Sequence, residues 1–202
     1  DVALKDEVLE TLLQQIEEAN VSVEYLSAGE HMTDGALQIS CLHPYAKKVP
    51  EDRNDASLVL RLSQGDFQML LTGDLEKSGE DWLVEQVRPA VEQPQPAAQE
   101  QALPCAPSTQ PAAQNPLRCT ILDAGHHGAS NATGEALLDL AQPELVLISC
   151  GKNNRYGHPA PETLKRLEER EIRWYSTAEV GAIQVYVGKK KVKIETSTSF
   201  SK

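Results

Sequence analysis

Positive charge is scarce in this sequence: 19 Lys and Arg stand against 30 Asp and Glu, a formal net charge of −11 over 202 residues. That balance excludes a broad basic surface that holds nucleic acid by counterion release. It does not exclude a phosphodiester substrate, because a bound divalent cation inverts the local field whatever the overall charge. Cysteine is sparse too. Cys41, Cys105, Cys119 and Cys150 have no C-x-x-C spacing and mostly sit inside apolar strands, which argues against a zinc knuckle or a disulfide framework and leaves buried thiols. No apolar run approaches the ~18 residues of a membrane span, and the opening Asp1-Val2-Ala3-Leu4-Lys5 lacks the layout of a signal peptide. The chain therefore reads as soluble. Because it opens on a helical pattern without Met, it also reads as a piece of a longer protein.

The length suits one domain better than two. Leu4, Val8, Leu12 and Ile16 recur every four residues, flanked by Leu9 and Leu13, and predict a helix ending near Asn20 that packs on a sheet. Val21 to Leu26 and Ala36 to Leu42 read as strands separated by a turn over Gly29 to Gly35. Leu58 to Leu62 and Phe67 to Leu71 form a hairpin candidate around Ser63-Gln64-Gly65-Asp66. A helix over Glu76 to Val87 stops at Pro89. Residues 89 to 116 carry seven Pro, seven Ala and six Gln and no basic residue, the composition of a disordered inserted loop.

Order resumes with a strand over Arg118 to Ala124, a helix from Thr133 to Ala141 and an apolar strand over Leu145 to Cys150. A helix then runs from Pro161 to Arg170, with proline in its first turn. Ile172 to Ser176, Ile183 to Val187 and Val192 to Glu195 read as three short antiparallel strands, with Gly188-Lys189-Lys190 as a turn. The result is a layered α/β or α+β domain.

Chemistry-bearing residues gather after apolar strands. Asp74 follows Leu70-Leu71-Thr72-Gly73, where a sheet's carboxyl edge presents functional groups; taken alone it suits a helix N-cap better than a metal ligand. His126 and His127 lie between Gly125 and Gly128, just past another strand. Imidazole and carboxylate are the donors expected for zinc, manganese or iron, whereas the alternative is a hydrogen-bonded structural pair. Lys152, Asn154, Arg155, Tyr156 and His158 share a polar loop suited to an anion, although its Gly157 and Pro159 also suit a plain exposed turn. His31 and His43 are weaker candidates.

The order of segments Asn54 to Leu60, Leu70-Leu71-Thr72-Gly73-Asp74-Leu75-Glu76, Gly125-His126-His127-Gly128, Gly151 to Pro159 and Gly181-Ala182-Ile183 resembles the second half of the metallo-β-lactamase-like domain of ComEC-type DNA-internalisation competence proteins. The resemblance covers nearly all of the chain except 89 to 116. It implies one half-domain over residues 1–202, the second half only of an αββα sandwich, with metal-dependent hydrolysis of DNA as the activity class. It implies Asp74, His126 and His127 as metal residues, Asp74 and His158 as catalytic, and Lys152, Asn154, Arg155 and Tyr156 as substrate-binding. The implied cofactor is a divalent metal, manganese or zinc, completed by ligands outside this chain. The implied partners are the missing N-terminal half, DNA and a second copy meeting an exposed sheet face. The implied location is a soluble domain of a membrane-attached bacterial protein, with the extracytoplasmic side among the options.

Three departures qualify the resemblance. The first-half motif His-x-His-x-Asp-His does not occur among the five histidines, Gly128-Ala129-Ser130 stands where the family has Gly-Ser, and the 89 to 116 insertion is atypical. A half-sandwich alone leaves an apolar sheet face bare, so it needs a partner and is not expected to work unaided. Competing readings are a non-catalytic interaction module and a small ester or lactone hydrolase, the latter favoured by the acidic charge.

Overall fold

A two-residue turn, Gly65-Asp66, sets the register of the sheet. In the computed structural model, which describes residues 7–45, 52–92, 115–188 and 191–197, β3 (Val59–Gln64) and β4 (Phe67–Leu71) pair antiparallel with Gln64 opposite Phe67. Gly65 takes φ +58°, which a side chain would disfavour. β1 (His31–Asp34) and β2 (Leu37–His43) extend this antiparallel half outward. On the other side of β4 the direction changes: β5 (Ile121–Asp123), β6 (Leu145–Ile148) and β7 (Arg173–Ser176) are parallel to β4 and to one another. The seven-stranded sheet runs β1 to β7 in chain order, a mixed α/β architecture.

Parallel neighbours need crossovers, and three helices supply them: α2 (Lys77–Glu92), α3 (Glu135–Ala141) and α4 (Pro161–Glu168). Strand alternation decides what they cover. Leu70, Leu122, Val146 and Ile148 face the helices and are buried against Leu83, Val84 and Val87 of α2, Leu137 and Leu138 of α3, and Leu167 of α4. Phe67, Ile121, Leu145 and Leu147 face the opposite way and meet Ile183, Val185, Val187 and Ile194 of the separate hairpin β8 (Ile183–Val187) and β9 (Val192–Thr196). That hairpin covers the centre of the second face. Toward β2 and β3 the cover ends, and Leu37, Ile39, Leu60 and Leu62 are only half-buried.

The structure corrects four sequence expectations. β7 is parallel rather than antiparallel, because α4 returns the chain to the starting end of the sheet before it. Val21 to Leu26 forms no strand; the strand before β2 is His31–Asp34, inside the expected turn, because the two positive-φ glycines lie on either side of it, Gly29 (φ 100°) before it and Gly35 (φ 58°) at the reversal into β2. α2 runs through Pro89 to Glu92, so proline does not end it, and Pro89 lies in its last turn. α1 (Glu7–Glu18) does not pack its stripe on the sheet: Val8, Leu12 and Leu13 are 75%, 49% and 40% exposed.

The remainder of the inserted segment, 93–114 with Cys105, lies outside the described residues, as do Leu4 and residues 189–190 of the expected turn. Among the described residues no helix is long and apolar enough to cross a membrane.

Leu122 sits at the centre of this arrangement, fully buried on a central strand under the helices. Leu122→Ala is expected to lower the unfolding free energy by about 2–5 kcal/mol in urea titrations. A loss below about 1 kcal/mol would show that the helix layer does not close on the sheet as described.

Candidate active site at the carboxyl edge of the parallel strands

β4, β5 and β6 end side by side, with Leu71 opposite Asp123 and Asp123 opposite Leu147. The residues that follow each strand therefore emerge at one edge: Asp74 after β4, Asp123 and the histidine pair at and after β5, and Ser149 with the loop 151–159 after β6. Two cross-links hold this edge. The Thr72 hydroxyl donates to the Asp123 carbonyl at 2.9 Å, and the His126 amide donates to the Gly73 carbonyl at 2.9 Å. Gly125 is obligatory here, because a Cβ would come within 2.9 Å of the Leu75 carbonyl oxygen.

The histidine pair forms a tight turn in which His126 (φ 45°) and His127 (φ 57°) are both left-handed. Non-glycine residues in this region cost of order 1–3 kcal/mol each and persist only where their surroundings over-determine them. The turn splays the two rings apart, and each has its Nδ1 occupied. His127 Nδ1 bonds the Ser149 carbonyl at 2.7 Å, which requires a proton on Nδ1 and leaves the Nε2 lone pair 3.9 Å from Asp74 Oδ1. His126 Nδ1 bonds Glu76 Oε1 at 2.8 Å. Glu76 is itself fixed by Asn54 Nδ2 at 2.8 Å and Asn131 Nδ2 at 2.7 Å. Such outer contacts orient imidazole ligands in metal sites.

Asp123 is the residue sequence reasoning missed at this edge. Burial pushes its carboxyl up to about 6, opposed by His127 and reinforced by the neighbouring Asp74 charge. Its signal was an acidic residue ending the apolar run Ile121-Leu122. Glu76, two residues beyond Asp74, stood out in the sequence as the start of a helix and the end of the Leu70–Glu76 segment, not as a site residue, and Asn131 carried no signal. Asp74 is not what holds the start of α2: the Gly79 amide is taken by Asp55 at 3.1 Å, and the Ser78 hydroxyl also donates to Asp55.

His158 approaches from the third strand, its ring 5.8 Å from that of His126. Burial, then the charges of His126 and His127, lower its pKa, and its buried Nδ1 has no hydrogen-bond partner among the described residues. Asn154 shapes the loop itself. Its Oδ1 accepts the amides of Tyr156 and His158, and its Nδ2 donates to the carbonyls of Gly151 and His158. Lys152 and Arg155 are exposed, and Tyr156 is 65% exposed, stacked on His158 with the Arg155 guanidinium 4.7 Å from its ring centre. The structure thus brings Asp74, His126, His127 and His158 together. His43 is buried, its ring edge-on to Trp82 and its Nδ1 bonded to the Ser57 carbonyl, and His31 lies on the edge strand β1.

The fold and edge define a mixed α/β domain that presents carboxylates and imidazoles where three parallel strands end. A scan against protein-family models finds no match. The chain is 33% identical over 175 residues to ComE operon protein 3 of Bacillus subtilis (strain 168), covering 87% of this chain and 19% of that protein. It is 28% identical over 154 residues to Competence protein ComA of Neisseria gonorrhoeae, covering 76% and 18%, and 25% identical over 178 residues to Recombination protein 2 of Haemophilus influenzae, covering 88% and 19%. The chain spans about a fifth of the length of these curated relatives. It belongs to the ComEC-type competence-protein family, matching one segment of such proteins.

Asp123 supplies a pH test. A carboxyl raised to about 6 in the fold, against its usual value of 3.8, favours the folded state most at low pH, and that contribution is lost as pH rises through about 6. Asp123→Asn should therefore show a smaller fall in stability between pH 4 and pH 8 than the parent in urea titrations at fixed ionic strength. An equal fall in both proteins would contradict the buried placement.

Proposed function

We propose that this chain contributes part of a metal-dependent phosphodiesterase that acts on DNA during its uptake. One observation carries the reading: Asp74, Asp123, His127 and His158 come from three different strand ends to one edge, with the Nε2 of His127 left open and the Nδ1 of His158 buried without a partner. Kinship with competence proteins supplies the substrate class.

The donors suit a borderline divalent ion such as manganese or zinc, being neutral imidazole and carboxylate oxygen. Among the described residues no three of them already stand as a ligating group. On this reading the remaining ligands come from outside this chain, and Asp74 and His127, with His126 or His158, supply its share. When bound, such an ion polarises a phosphoryl oxygen and lowers the pKa of water. The chain's own residues orient that chemistry: Glu76 fixes the His126 ring, the Ser149 carbonyl fixes the His127 tautomer, and Lys152 and Arg155 offer cationic contacts to phosphate, with Tyr156 beside them.

The same reading assigns a partner to the uncovered surfaces. The stripe Val8, Leu9, Leu12 and Leu13 and the half-buried Leu37, Ile39, Leu60 and Leu62 form apolar area of the kind that a second half-domain, or failing that a second copy of this chain, would cover.

In a longer protein containing this segment, manganese- or zinc-dependent cleavage of DNA is expected, and Asp74→Ala should reduce it to background. A protein inactive on DNA across divalent ions, or one indifferent to Asp74→Ala, would overturn the reading. Salt-insensitive hydrolysis of a small ester instead would favour the small-molecule alternative, consistent with the acidic charge of −11.

A further inference from the structure

We propose that Glu80 is a positioning residue for the histidine turn, acting through Thr133. Glu80 belongs to α2 and is 3% exposed, and its two carboxylate oxygens are both committed. One accepts the Thr133 amide at 2.5 Å and the other the Gly134 amide at 2.7 Å. Gly134 immediately precedes α3, so a carboxylate on its amide alone would be an ordinary support for that helix start. Thr133 is different. It is fully buried and left-handed at φ 53°, a conformation that a β-branched side chain adopts only as an outlier. Its hydroxyl oxygen accepts the amide of Gly125 at 3.0 Å, the residue that opens the His126-His127 turn. The path is thus Glu80 to Thr133 to Gly125, and it ends one residue from His126.

The opposite side of the same segment is held by a second, partly buried group. Arg166 of α4 donates to the carbonyls of Thr133 at 3.1 Å, Ala132 at 2.7 Å and Ser130 at 3.0 Å, while the Thr163 hydroxyl donates to Ala129 at 2.7 Å. Glu80 holds the amides of the segment, and Arg166 with Thr163 holds its carbonyls. Three left-handed non-glycine residues, His126, His127 and Thr133, lie within eight positions. Such strain persists only where the surroundings fix it, and the Glu80 and Arg166 contacts are what fix Thr133. Neither residue touches the edge where Asp74 and the imidazoles lie. Their effect on it runs through backbone placement.

The inference rests on that edge being the functional site, but its test needs no hydrolysis, so failure of the nuclease reading and failure of this one are separable. Histidine-ring NMR spectra of the full chain are compared for the parent, Thr133→Ser, Thr133→Val and Glu80→Gln. Thr133→Val keeps the shape but removes the acceptor for Gly125. Glu80→Gln keeps one acceptor oxygen and places an NH2 against the other amide. Expected are displaced His126 and His127 ring signals in Thr133→Val and Glu80→Gln, with Thr133→Ser overlaying the parent. Ring signals unchanged in either of the first two variants would overturn the proposal. Should neither variant fold, amide exchange in the parent decides. Gly125 and Thr133 protected together support the coupling, whereas Gly125 exchanging as fast as an exposed loop overturns it.

Discussion

Parallel pairing of β4, β5 and β6 in matched register aligns Leu71 with Asp123 and Asp123 with Leu147, so three chain segments far apart in sequence reach the same edge. The rest of the site depends on this alignment. A slip of one residue would turn Leu122 away from the helix layer and carry Asp123 to the opposite face, because side chains alternate along a strand. The alignment is fixed by burial on both faces: Leu122, Val146 and Ile148 under helices, Ile121, Leu145 and Leu147 under the β8–β9 hairpin. Core packing and site geometry are here the same constraint.

On that platform, function and strain coincide. The left-handed His126 and His127 point their rings in different directions, one toward Glu76 and the other toward Ser149 and Asp74. The conformation is held from several sides, by the Gly73 carbonyl on the His126 amide and by outer polar groups on each Nδ1. The groups it presents, imidazole and carboxylate, are of the types that divalent ions use.

Much of this was legible in the sequence where periodicity or turn chemistry spoke clearly. The Gly65-Asp66 hairpin, the apolar strand β6 and the proline-started helix α4 fall where alternation, apolar runs and Pro161 placed them. Asp74, His126, His127 and His158 were marked by their positions after apolar strands. What sequence could not give was tertiary. The amphipathic stripe of α1 predicted burial, yet no periodicity says whether the covering surface belongs to the same chain. The direction of β7 was misread because a short strand carries no sign of its orientation; only the α4 crossover does. Glu76, Asn131 and the Ser149 carbonyl act through contacts spanning 22 to 55 residues, with no local pattern to reveal them.

The chain thus gathers carboxylates and imidazoles at one edge of a seven-stranded sheet, within a segment that spans about a fifth of the length of its competence-protein relatives. Under the proposed function, Asp74, Asp123, His126, His127 and His158 act as one site for a divalent ion. Titrating manganese into the isotope-labelled chain and recording paramagnetic broadening tests that claim most directly, because fast exchange makes even weak binding visible. Signals of residues 73–76, 123–128 and 149–158 are expected to broaden first while α1 and the β8–β9 hairpin remain sharp. Uniform broadening across the acidic surface, or a first loss elsewhere, would contradict it.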